Sequence, residues 1–215
     1  MPKNWPALII GLVVSVYWFR VMMMVREAPK VSGHGANFVP PEKLGRVLRF
    51  VWMPVILLWI LLPFVAFIVR KPERYPEELQ PLLKVHHLPS LAGWLAAVVA
   101  VLCLIATFMC WKRMGKSWRM GIDPNDKTQL IFSGPYAYVR HPIYGLSSLL
   151  MIATMAAVPS AMMIVAGVLH LMLLQWEARR EEQHLIRQHG DEYRQYSRGT
   201  GRFFPRSFRA YSGSN

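Results

Sequence analysis

The stretch Ser133-Gly134-Pro135-Tyr136-Ala137-Tyr138-Val139-Arg140-His141-Pro142-Ile143-Tyr144 places a guanidinium, an imidazole and three phenol rings at the edge of an apolar run. Gly134-Pro135 signals a turn. His141 precedes a proline and is therefore biased away from helical backbone. Pro142 suits the first position of a helix, where a missing N–H is harmless. A loop should thus turn into a helix here. The N–H groups of Ile143 and Tyr144 would then form a small anion site, with Arg140 and His141 beside it. Tyr136, Tyr138 and Tyr144 offer ring faces for an adenine or a sulfonium cation. An aromatic and basic belt at a membrane interface has the same composition, and local physics alone favours that plainer reading.

A second cluster, Glu177-Ala178-Arg179-Arg180-Glu181-Glu182-Gln183-His184-Leu185, extends another apolar run. At ~100° per residue, His170, Glu177, Glu181 and His184 fall within a stripe of roughly 60°. Arg180 stands at helical spacing from Glu177 and His184. His170 lies inside the apolar run, where an ionisable group is a functional candidate. A solvated helix with ordinary ion pairs is the alternative. Further on, His189-Gly190 reads as a helix stop, and Asp191 as the cap of a short following helix. Arg202-Phe203-Phe204-Pro205 could return to the membrane surface and cover a site, or form a peripheral amphipathic segment.

Five apolar runs must position these clusters: 6–25, 50–69, 88–111, 142–158 and 159–176. The first three approach the ~20 residues that cross a ~30 Å hydrocarbon core. The last two are joined only at Pro159-Ser160 and read as a tight helical hairpin, long enough to cross or else re-entrant. Backbone in lipid must pair within its own segment, so these runs are helices. The expected fold is an all-α integral membrane protein with about five transmembrane helices and a cytoplasmic helical tail. Residues 1–111 would hold three spans, and residues 112–215 the loop, the hairpin and the tail. The first run lacks a small-residue cleavage site and reads as a retained span.

The chain is 215 residues long, 53% hydrophobic, and carries a formal net charge of +13. That pairing is ordinary only if apolar segments occupy a bilayer and charges collect in the loops. The basic residues flank apolar runs instead of forming one face, which argues against a nucleic-acid partner. Lys and Arg cluster after the first and third runs and in the tail. This asymmetry predicts an N-terminus outside and a C-terminus in the cytoplasm. Cys103 and Cys110 would lie about 10 Å apart along one helix, too far for a disulfide. There is no phosphate-binding glycine loop, no dinucleotide fingerprint, no zinc spacing and no Gly-x-Ser-x-Gly elbow. His86-His87 has no evident partner ligands and is expected in an outer loop.

Together the clusters resemble the isoprenylcysteine carboxyl methyltransferase and phospholipid methyltransferase superfamily of membrane enzymes. One set of matching residues is Leu130, Gly134-Pro135-Tyr136, Tyr138-Val139-Arg140-His141-Pro142 and Tyr144. The other is Glu181-Glu182, Leu185, Gly190, Glu192-Tyr193, Tyr196, Arg202 and Pro205. The similarity covers about residues 112–206. It implies a non-Rossmann site for S-adenosylmethionine, built from the last two spans and the tail. The residues it marks for the cofactor are Tyr136, Tyr138, Arg140, His141, Pro142, Tyr144, Glu182, Tyr193 and Arg202. Arg180, Glu181, Glu177 and His184 are the expected catalytic residues, on the helical stripe that the resemblance turns toward the cofactor. The acceptor would be lipophilic and would enter from the bilayer. A carboxylate acceptor needs only an arginine to hold it, whereas an amine or thiol needs a proton removed by Glu or His. The family often has glycine two residues after the motif tyrosine; here Gly145 follows Tyr144 directly and Leu146 takes that position. A sterol-reductase-like enzyme using NADPH, or a non-enzymatic membrane carrier or assembly subunit, remains as an alternative. Nothing in the sequence indicates the oligomeric state.

Overall fold

The computed structural model describes residues 4–27, 43–69, 74–85, 90–115, 118 and 130–212. His86-His87 and residues 119–129 lie outside that set. The described residues form seven α-helices and no strand. They are α1 (Trp5–Glu27), α2 (Lys43–Ile68), α3 (Gln80–Leu83), α4 (Ser90–Met114), α5 (Pro142–Ala157), α6 (Ala161–His189) and α7 (Asp191–Gly199).

Four of these helices, α1, α2, α4 and α6, are long and apolar enough to cross a membrane. The 16 residues of α5 reach only about 24 Å at the helical rise, short of the ~30 Å core. The α5–α6 pair does form the expected hairpin. Ser160 caps α6 by accepting a hydrogen bond from the Met163 N–H at 3.3 Å. Past the apolar run that ends at residue 176, α6 continues through the second cluster to His189, the helix stop read from the sequence. Good helix formers follow the apolar part, so nothing stops the helix before Gly190.

Packing explains the composition of α4. Its buried face carries Ala96, Ala97, Ala100, Cys103, Thr107 and Cys110, small residues that let α5 and α1 approach closely. Its other face exposes Leu91, Leu95, Val98, Leu102 and Met109, which fits contact with lipid. Cys103 and Cys110 are buried and form no disulfide. The common core draws on all five long helices, through Ile10 and Val14, Trp59, Ala100, Leu150 and Met151, and Met163.

His170 is deep in this core. Its Nδ1 accepts a hydrogen bond from the Trp52 indole at 3.0 Å, and its Nε2 lies 3.1 Å from the Ser147 hydroxyl. Since Nδ1 is an acceptor, the ring proton of the neutral tautomer is on Nε2 and is donated to Ser147. Trp59 packs against the ring with centroids 4.6 Å apart. His170 therefore ties α2 and α5 to α6 with both nitrogens satisfied. Its place in the interior is accounted for by packing and hydrogen bonding.

The tail folds back on the start of α5. Gly190, at φ +56°, reverses the chain in a conformation that favours glycine. The N-cap of α7 is Gly190 and not Asp191; Asp191 is the first helical residue and pairs with Arg194 at 2.9 Å. After α7 the backbone forms a short parallel ladder with the loop before α5. Arg140 N–H donates to Gly201 O at 2.8 Å, His141 N–H to Arg202 O at 2.9 Å, and Gly201 N–H to Tyr138 O at 3.2 Å. Tyr211 N–H donates to Ala137 O at 2.8 Å and closes the strap.

Candidate active site

The ladder brings the two sequence clusters and the tail to one place, the N-terminal end of α5. Glu182 is at its centre. Its Oε1 accepts from Arg140 Nε at 2.9 Å and from Arg202 Nε at 3.0 Å, and Arg202 Nη2 reaches its Oε2. Arg140 also donates to the carbonyls of Ser197, at 2.9 Å, and Thr200. One guanidinium thus joins the loop, α6 and the end of α7. Arg202 extends further to Gln175 Oε1 at 3.3 Å.

Glu181 turns to the neighbouring side. It accepts from the Tyr144 hydroxyl, and its Oε2 lies 3.4 Å from His141 Nδ1. The rings of His141 and Tyr144 are stacked, with centroids 5.4 Å apart and 4° between planes. Phe203 meets both rings edge-on. Burial opposes protonation of His141, but Glu181 and Glu182 outweigh it and raise its pKa above the usual histidine value.

A raised folded pKa contributes stability that is complete below ~6.5, the unfolded value, and fades as pH rises through the folded value. The melting-temperature difference between the parent and His141→Gln should therefore be largest in mild acid and shrink at higher pH. A difference independent of pH would show that His141 is not charged in the folded protein.

Glu177 and Arg180 form a third element one turn closer to the membrane interior. Arg180 Nη1 donates to Glu177 Oε2 at 2.8 Å, and both side chains are largely buried. Arg49 of α2 acts electrostatically on Glu177 and Tyr144. His184 is half-buried on the same face of α6. Pro142 is the first residue of α5, as its type requires. Tyr193 is buried, and its hydroxyl has no hydrogen-bond partner. Desolvation raises its pKa, so the phenol stays a neutral donor.

Tyr136 and Tyr138, like Tyr193, stand apart from the cluster's hydrogen bonds. Tyr136 is buried; its hydroxyl donates to Met114 Sδ at 3.4 Å and its carbonyl accepts from Tyr196 at 2.6 Å. Tyr138 is exposed. Among the described residues no acceptor meets the N–H groups of Ile143 and Tyr144. No group of three or more His, Cys, Asp and Glu side chains among the described residues could hold a metal ion.

These contacts lie largely in a segment with known relatives. Residues 94–187 match the family model of isoprenylcysteine carboxyl methyltransferase (ICMT). The motif resemblance is thereby supported from the middle of the chain, starting inside α4 and ending inside α6. The matched segment contains Arg140, His141, Tyr144, Glu177, Arg180, Glu181 and Glu182. Tyr193 and Arg202 come to it from the tail beyond it. The chain is also 27% identical over 114 residues to the nickel-cobalt-cadmium resistance protein NccN of Alcaligenes xylosoxydans xylosoxydans. The matched part is 53% of this chain and 53% of that protein, so the chain spans about half the length of this relative.

Some participants escape the motif reading. Arg49 and Trp52 of α2 carry no local signature, and Arg49 reads only as one of several loop charges. The displaced glycine has a physical reason in the fold. A Cβ on Gly145 would come 2.5 Å from the Phe203 carbonyl oxygen, so the glycine directly after Tyr144 lets the tail lie against α5. Gly145→Ala should lift the strap and lower stability by about 1–3 kcal/mol, the range for overpacking. Tail protection in hydrogen exchange should fall with it. An unchanged melting curve and unchanged tail exchange would show that the tail does not rest on Gly145.

Proposed function

We propose that this chain is a membrane methyltransferase that takes a methyl group from S-adenosylmethionine and delivers it to a lipophilic acceptor at the cytoplasmic face of the bilayer. The observation that carries the reading is the convergence of Arg140, His141, Glu181 and Glu182 of the ICMT-type segment with Arg202 and Phe203 of the tail at the start of one apolar helix. Matching chemistry supports the cofactor. The N–H groups of Ile143 and Tyr144 lack protein acceptors. Tyr193 Oη and His141 Nε2 are buried without hydrogen-bond partners, although His141 Nε2 lies 3.5 Å from Glu182. These groups suit a ligand rich in acceptors, and the rings of Tyr144 and Phe203 suit its base or its cation.

In this reading His141, Pro142, Tyr144, Glu182, Tyr193 and Arg202 hold the cofactor. Arg140 fixes the wall of the site, and Tyr136 and Tyr138 flank it. When bound, S-adenosylmethionine supplies an electrophilic methyl group on sulfonium sulfur. The chain itself has to align the acceptor and keep water out. Arg180, beside Glu177, would orient an acceptor carboxylate. For an amine or thiol, Glu181, Glu177 or His184 would take the proton. Residues 1–111 would form the substrate side, and Arg49 and Trp52 in α2 fit that role. The excess of Lys and Arg after the first and third runs and in the tail favours a cytoplasmic site with the N-terminus outside. This topology requires the short α5 to cross beside α6 through a locally thinned bilayer, for five spans in all.

The acceptor can be found directly. Purified protein incubated with membrane lipid extract and isotopically labelled methyl donor should yield a labelled lipophilic product by mass spectrometry. If no lipid fraction from the source membrane acquires label while the protein binds the cofactor, a lipophilic acceptor is ruled out.

A further inference from the structure

The strap over α5 continues into a loop whose surface has no role in the site. Residues 204–210 are exposed throughout. Phe204 is 58% exposed and Phe208 is 95% exposed. Arg206 and Arg209 alternate with them, and Arg198 stands exposed on α7, where Arg194 is paired with Asp191. The chain has no acidic residue after Glu192, so no carboxylate within the loop neutralises these arginines.

The loop is held at both ends. Before it, Gly201 and Arg202 are paired with the backbone leading into α5, and Phe203 packs on Tyr144 in the first turn of that helix. After it, Tyr211 is bonded to Ala137 and its ring packs against Phe132 and Tyr196. Phe204 directly follows the residue that packs on Tyr144, and both ends of the loop are tied to the segment that enters the apolar helix α5, the end of the helix where a bilayer interface would lie. Aromatic rings flanked by arginines, with no acidic residue in the loop itself, match the chemistry of a negatively charged headgroup layer.

We propose that residues 204–209 dock into the anionic lipid surface of the bilayer that holds the helices, with Phe204 and Phe208 at the acyl boundary and Arg206 and Arg209 among the headgroups. This anchors the strap whose roots, Arg202 and Phe203, close the site. The proposal concerns location only and does not depend on the reaction.

The test places an environment-sensitive fluorophore on the loop through Ser207→Cys. Buried Cys103 and Cys110 are changed to Ala so that only the loop is labelled. The full chain is reconstituted in phosphatidylcholine nanodiscs with or without phosphatidylglycerol. Emission should shift to the blue with phosphatidylglycerol. The shift should vanish in ~1 M salt, where the Debye length falls to about 3 Å, and in a Phe208→Ser/Arg209→Gln variant. The lipid and salt comparisons use the same labelled protein, so they stand even if the double variant folds poorly. Water-like emission in both bilayers, or membrane-like emission that ignores both lipid and salt, overturns the proposal.

Discussion

Glu182→Gln should be the most destabilising conservative substitution in the C-terminal half, at about 3 kcal/mol or more. Glu182 binds two guanidinium groups, and the Arg140 side chain is only 7% exposed. Breaking a buried pair by removing one partner typically costs 3–5 kcal/mol, because the other charge stays buried and uncompensated. Glutamine preserves the shape and one acceptor oxygen, which places the estimate at the lower end of that range. Loss should be concentrated in the strap. Arg140 and Arg202 both belong to the ladder that holds residues 201 and 202, so tail amides should exchange faster while α1, α2 and α4 remain protected. A loss below ~1 kcal/mol, the size seen for exposed pairs, would mean that Glu182 is solvated and the strap is held otherwise.

The largest effects on rate are expected at Glu181 and Arg180. Glu181→Gln keeps an acceptor for Tyr144 but removes the charge beside His141. Arg180→Lys keeps the charge beside Glu177 but loses the planar fork that can hold a carboxylate. Arg180→Ala is less informative, because it leaves buried Glu177 without this partner and lowers stability as well. On the proposed function, each of the two conservative variants should lose at least tenfold in turnover at saturating cofactor, which is ~1.4 kcal/mol of transition-state stabilisation. Each should melt within a few degrees of the parent. Near-parental turnover in both would make the face ordinary surface.

The local chemistry of these residues explains how much of the arrangement was legible in the sequence. His141-Pro142 and Ser160 mark helix starts because proline and cap residues act through their own backbone, with no need of distant partners. The α5–α6 hairpin follows from the short joint at Pro159-Ser160 for the same reason. The stripe His170, Glu177, Glu181, His184 is simple helical geometry, and all four side chains are buried or half-buried. Glu182 lies off that stripe by about 100°. Its burial comes from a tail that arrives from another direction. His170 shows the opposite limit. An ionisable group in an apolar run invites a functional reading, but the partners that satisfy it, Trp52 and Ser147, are 118 and 23 residues away. Asp191 was expected as a cap, yet Gly190 takes that position because only its backbone makes the reversal. The end of α6 at His189 was legible for the same reason: Gly190 stops the helix through its own backbone, well past the end of the apolar run.

On the proposed function, the junction of the loop, α6 and the strap binds S-adenosylmethionine. Calorimetric titration of the purified, folded protein in detergent with S-adenosylhomocysteine tests it most directly. Saturable one-to-one binding is expected, and it should weaken at least tenfold in His141→Ala and in Tyr144→Ala, a loss of ~1.4 kcal/mol each. Absence of binding to the folded parent, or binding that both variants leave unchanged, would contradict the account.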